Sequence, residues 1–322
     1  MKPENLPYVD ADMPNEQYHR GEWQKEFISS TQFKNYIVSP KYFLYCHENP
    51  DAHSISLEAS MQGSVYHSML ASLTNKGNME DFEKEYFVFE PPVNPKTGSP
   101  YGINTQAYLA AYNEALAGHP GQEATSEAEV ELARKMVNSL TKHCGSTSNS
   151  VNKLIEWGTA ETSFFVEYEG MYFKFRTDLQ TEHKIVDWKT ISADDLHVNT
   201  ISRQIAKMNY GLSAAFYQFF LHEVTGQWKE FYWVFQQKTA PYDAVLVSAD
   251  AYAYKYNPEQ DYLQKGPSAL LFESILEEHK RCYQDGYFPG AEIFIIPGGG
   301  NRRIMYPRAS QYDITPTFFQ DN

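Results

Sequence analysis

At 322 residues, with 42% apolar and 21% charged residues, the chain has the balance and length of one large globular domain or two small ones. Disorder, collagen and coiled coil are excluded as descriptions of the whole, and no run of about 18 apolar residues offers a transmembrane helix. The net charge of −14 argues against a nucleic-acid coat, though a local basic groove or bound cations can still dominate one cleft of an acidic protein.

Residues 1–27 are polar and read as an arm that wraps or trails, without the apolar stretch of a signal peptide. Ser29-Ser30-Thr31 caps a short helix through Phe33 and Ile37, and Pro40 opens a second. A longer helix from Ser56 to about Asn75 carries Leu57, Met61, Val65, Met69 and Leu73, interrupted by Gly63, which implies close packing there. Glu85–Phe89 reads as a strand, and residues 90–104 as a Pro/Gly-rich loop. Helices follow at Gln106–Leu116, after the capping box Ser126/Glu129, and at Ser150–Trp157.

The period then changes to two. Thr159–Tyr168 and Met171–Gln180 are strands joined at Glu169-Gly170, a hairpin signal, and Lys184–Lys189 is a third. Residues 200–224 read as one long helix. Strands Trp228–Gln237 and Ala244–Val247, a helix from Ser268 to Gln284, a Gly-rich turn at Pro297–Gly300 and a strand Arg303–Tyr306 complete the chain. The order predicts an α/β or α+β fold with a helical front half, residues 28–157, and a sheet core, residues 158–322, in a single domain. Cys46, Cys144 and Cys282 are scattered and odd in number, which fits a reducing, cytoplasmic setting and no thiolate metal site.

The chemistry concentrates in Arg176-Thr177-Asp178 and Ile185-Val186-Asp187-Trp188-Lys189. Asp187 and Lys189 share a strand face, while Trp188 turns its side chain inward and leaves its carbonyl placed to reach a metal. A hairpin brings Asp178 beside Asp187. Two carboxylates held together repel unless a cation lies between them, so the pair suits Mg²⁺, with Mn²⁺ as substitute. A lysine on that face supplies a charge for phosphodiester hydrolysis. Surface ion pairing is the plainer reading of Asp-x-Lys alone.

The whole segment resembles the PD-(D/E)xK nuclease core, in the branch of RecE-like, RecB-type and lambda-exonuclease-like proteins. Ser29-Ser30-Thr31-Gln32-Phe33-Lys34 with Ser39-Pro40-Lys41-Tyr42-Phe43, and Gly63-Ser64-Val65-Tyr66-His67, resemble that family's N-terminal helices. Glu161 and Lys174-Phe175-Arg176-Thr177-Asp178 match its strand pair. The resemblance spans roughly residues 28–307. It implies a restriction-endonuclease-like mixed sheet flanked by helices and a Mg²⁺-dependent exonuclease resecting double-stranded DNA ends in recombination. A single-strand annealing protein as partner, a ring-like homo-oligomer and no membrane association are also implied.

By the same resemblance His67, otherwise a buried core histidine, becomes a metal ligand, and Glu161 joins the site. The family's Gln-x-x-x-Tyr helix keeps Tyr217 but has Ser213 in place of the glutamine, which puts phosphate positioning in question, with Gln204 or Gln218 as substitutes. Arg176 is the favoured phosphate contact, since it shares the face of Asp178. The alternatives are a catalytically weakened DNA-binding or structural protein of the same fold, and an acidic glycosidase with Asp178 and Asp187 as its pair. Lys189 argues against the glycosidase.

Overall fold

The computed structural model describes residues 5–21, 25–49, 57–142 and 151–290; Cys144, Pro297–Gly300, Arg303–Tyr306 and the side chains of Leu57 and Met61 lie outside what it describes. In chain order the elements are β1 (Tyr8–Asp10), α1 (Asn15–Arg20), β2 (Ile28–Ser29), α2 (Ser30–Phe33), a 3₁₀ turn (Lys34–Ile37), α3 (Pro40–Glu48), α4 (Leu57–Lys76), α5 (Glu80–Glu85) and β3 (Tyr86–Val88). Next come α6 (Gln106–Gly118), β4 (Glu123–Thr125), α7 (Glu127–Thr141), α8 (Val151–Trp157), β5 (Thr159–Tyr168), β6 (Met171–Gln180) and β7 (Lys184–Ile191). The chain continues with α9 (Val198–Met208), α10 (Tyr210–Thr225), β8 (Glu230–Gln237), β9 (Ala244–Ser248), β10 (Tyr254–Asn257), β11 (Tyr262–Lys265) and α11 (Pro267–Asp285).

The central sheet is mixed, in the order β1-β5-β6-β7-β8-β9, with β2 alongside β6. The hairpin β5–β6 forms where expected because Glu169 and Gly170 both take positive φ, which matches the twist of the flanking strands. β7 and β8 are parallel and need a crossover, supplied by α9 and α10. One core packs the aromatic residues Phe33, Phe173, Phe175, Phe216, Phe220 and Phe272 against one sheet face. A second packs α4, α7 and α8 on Leu179, Val186, Trp188 and Val234. Helices thus cover both faces, the fold class the sequence implies.

Of the two readings of the polar arm the wrapping one holds: β1 pairs antiparallel with β5, and Met13 and Tyr18 are buried. Three expectations change. The single helix expected over residues 200–224 is two, broken at Asn209 (φ 50°, ψ 41°), a left-handed conformation that Asn tolerates well. Gly63 is not closely packed: a Cβ there would meet no described atom within 4 Å. The hairpin β10–β11 fills residues that carried no strand assignment.

Gln218 proves structural. Its amide nitrogen donates to the carbonyls of Lys229 (2.8 Å) and Tyr254 (2.9 Å), and its oxygen accepts from the Tyr254 N–H (3.0 Å). It is 2% exposed, so no polar atom remains for a phosphate. Gln218→Ala strands three main-chain groups and is expected to cost about 2–4 kcal/mol, read as a drop in the urea midpoint.

Candidate metal and catalytic site

The site lies where the sheet forks. β6 and β7 pair only at Leu179↔Val186 and Gln180↔Ile185. The next pair in that register would be Asp178 and Asp187, but there the strands diverge and β2 takes up the edge of β6, Ile28 beside Phe173 and Ser29 beside Lys174. The N–H of Trp188, freed from the ladder, donates instead to Asp178 Oδ2 at 2.7 Å. The β5–β6 ladder is interrupted at the same level: Ala160↔Leu179 and Thr162↔Thr177 pair, whereas Glu161 and Asp178 between them do not. Glu161 has φ 55°, unfavourable for a side chain without local hydrogen bonding to support it. Phe175 belongs to the first core and Leu179 to the second; four positions apart on a regular strand they would share a face. The irregularity turns side chains into the fork.

Three donors converge there. A ring nitrogen of His67 and carboxylate oxygens of Glu161 and Asp178 all lie within 4.8 Å of one another. His67 Nδ1 is 3.6 Å from Asp178 Oδ2. Burial and the Lys189 charge lower the His67 pKa to about 4, leaving at neutral pH the uncharged imidazole a metal requires. The Trp188 main chain hydrogen-bonds this ring. Burial and the Asp178 charge push Glu161 up to about 8, and burial raises Asp178 as well. Desolvated carboxylates facing each other with a neutral imidazole make a hard, anionic donor set, which fits a divalent cation of the Mg²⁺ or Mn²⁺ type.

Asp187 stands on the flank of this cluster. Its carboxyl group, when protonated, donates a hydrogen bond to the Asp178 carboxylate, and an oxygen of Asp187 accepts from Lys189 Nζ at 2.7 Å. It is 5% exposed, and burial raises its pKa to about 6, the Lys189 charge notwithstanding. Burial disfavours the Lys189 ammonium, but Asp187 and Asp178 hold its pKa above the usual lysine value. The ammonium lies 5.1 Å from the ring centre of Tyr210.

Tyr217 packs on Phe175, ring centres 5.4 Å apart, and hydrogen-bonds Ser30; burial raises its hydroxyl pKa well above the usual value, with Asp187 and Asp178 contributing. Ser213 lies one turn before it on α10, half-buried. Arg176 does not face solvent. Its Nε donates to Ser163 (2.8 Å) and Nη2 to the Met13 carbonyl (2.9 Å), its guanidinium covers the Tyr18 ring at 4.3 Å, and Nη1 is 3.5 Å from Glu161. A phosphate would have to displace the N-terminal segment to reach it. Arg176 instead braces Glu161 from behind.

Two residues escaped the sequence reading. Lys34 places its ammonium 5.4 Å from the Tyr210 ring, and Tyr210 is hydrogen-bonded to Gln204. Lys34 falls within the opening-helix motif, but the break at Asn209 that presents Tyr210 leaves no periodicity signal.

A family model described as "PDDEXK-like domain of unknown function (DUF3799)" matches residues 29–265, which holds every site residue above. Among solved structures, the crystal structure of a "Putative exonuclease" from Eubacterium rectale is similar in fold, with TM-score 0.51 and 15% sequence identity, over 95% of this chain and 98% of that one. No curated protein matches the sequence significantly. Among the described residues no helix is long and apolar enough to cross a membrane.

Proposed function

The chain belongs to the PDDEXK-like family DUF3799, within the PD-(D/E)xK nuclease superfamily, and from that premise we propose that it is a Mg²⁺-dependent exonuclease of the RecE type that resects double-stranded DNA ends. The observation that carries the reading is the meeting of His67, Glu161 and Asp178 beside the Asp187–Lys189 pair at the fork of the sheet. The E. rectale structure, whose name reads "Putative exonuclease", supports the choice of class.

His67, Glu161 and Asp178 would hold the cation, with Asp187 and the Trp188 carbonyl at its edge. A divalent ion in this set supplies Lewis acidity toward a phosphate oxygen and lowers the pKa of a bound water. The protein's own groups do the rest. The Trp188 N–H fixes the Asp178 carboxylate, and Arg176 fixes Glu161. Lys189, oriented by Asp187, presents a permanent positive charge where negative charge grows on the phosphate. Tyr217, half-buried and protonated, offers a hydrogen-bond donor on the same side. An annealing-protein partner and a ring-shaped assembly, in which a threaded duplex cannot easily leave, belong to the same proposal.

The test is nucleotide release from linear duplex DNA with Mg²⁺, beside a covalently closed circle of the same sequence. Release from the linear form alone, abolished by EDTA, is the expected result. Equal cutting of the circle removes the exonuclease assignment, and no cutting of either removes the nuclease.

A further inference from the structure

We propose that Lys34 is a substrate-binding residue that grips a DNA backbone phosphate beside the one being cleaved. This rests on the nuclease reading above and adds the second anchor of the strand. Lys34 opens the 3₁₀ turn after α2, and its backbone is rigidly held. The Ser29/Gln32 capping box fastens α2 to β2, and the flanking Phe33 and Tyr36 are fully buried. The side chain therefore has a defined direction, toward Tyr210.

Its ammonium donates to the Met208 carbonyl at 3.1 Å and shares the Tyr210 ring with the ammonium of Lys189. The two cations thus lie within the sum of their distances to one ring centre, a span that neighbouring phosphates of a single strand can bridge. Gln204 holds Tyr210 through a side-chain hydrogen bond, so the platform beneath both charges is fixed.

What points to an external anion is the charge count. Among the described residues no carboxylate lies within ion-pair distance of Lys34, while the neighbouring acid Asp187 is already paired with Lys189. Burial, and then the Lys189 charge, lower the Lys34 pKa to about 8, and the Asp187 charge offsets this only in part, the mark of a half-buried cation left under-compensated. In a chain of net charge −14 such a group is costly unless an anion arrives to complete it. The Met208 carbonyl and a ring face orient the ammonium without neutralising it, which leaves its charge for the ligand.

The test is fluorescence anisotropy of the full-length protein with a short blunt duplex, in Ca²⁺ in place of Mg²⁺, across a salt series. Lys34→Met is expected to weaken binding about tenfold and to flatten the slope of log affinity against log salt by about one unit. Lys34→Arg should keep most of both, and Mn²⁺ affinity by calorimetry should be unchanged in either variant. Wild-type affinity and slope in Lys34→Met overturn the proposal. So does a loss of Mn²⁺ binding in both variants, which marks a structural role. A wild-type protein that binds Mn²⁺ but no duplex overturns the nuclease reading itself, and Lys34 with it.

Discussion

Asp187→Asn is expected to abolish metal-dependent DNA cleavage and, in the absence of metal, to raise the melting temperature at neutral pH. Both effects come from one charge. The carboxylate orients Lys189 and completes the acidic edge of the donor set, and an amide does neither well. Its folded-state pKa stands at about 6 against an ordinary 3.8. For a carboxylate raised in this way, the unfolded chain ionises first as pH rises. Its stabilising contribution is complete below about pH 4 and is lost as pH climbs through 6. The metal-free wild type therefore carries a penalty of roughly 3 kcal/mol at pH 7 that the variant escapes, equivalent to several degrees in Tm. Melting curves in EDTA should coincide near pH 4 and separate by pH 7, and Mn²⁺ should narrow or reverse the gap. Cleavage at the wild-type rate in the purified variant would remove this pair from the reaction.

Lys189→Ala should lower kcat about 10²- to 10³-fold with little change in Mn²⁺ affinity, because the ammonium acts on charge developing at the phosphate and ligates nothing. Without metal the variant leaves Asp187 and Asp178 facing each other with their nearest cation removed, so its EDTA melting temperature should fall, opposite in sign to Asp187→Asn. Calorimetry with Mn²⁺ and single-turnover cleavage on one linear duplex separate the two roles. Loss of metal binding together with activity would mean that the lysine only neutralises the cluster.

The sheet was legible because its signals are local. Two runs rich in aromatic and β-branched residues, Thr159–Tyr168 and Met171–Gln180, flank a two-residue turn with the right residues, and the observed strands have those limits. The Ser126/Glu129 capping box likewise starts α7 where it reads. Long-range placement was not legible. Nothing local to residues 8–10 says that they lie against β5, and the apolar spacing of 201–224 runs straight through Asn209, where the left-handed backbone breaks the helix; Gly211 just beyond it lies too close to Ser268 and Tyr252 to carry a side chain. In the site, Asp178, Asp187 and Lys189 could be named from the period-two spacing of the strands. The shift of Arg176 from phosphate to Glu161, and the approach of Lys34 to Tyr210, depend on which segments cover the fork.

The bracing of Arg176 by the N-terminal segment also fixes an order of events during synthesis. Met13 and the arginine it caps are 163 positions apart, and Tyr18, whose carbonyl holds Lys174, precedes it by 156. The early segment must wait, unpaired, until β5 and β6 have been made and joined, and only then can it close over them. Glu161 gains its fixed partner at that last step. A chain still emerging from the ribosome therefore carries Glu161 and Arg176 without the segment that packs over them.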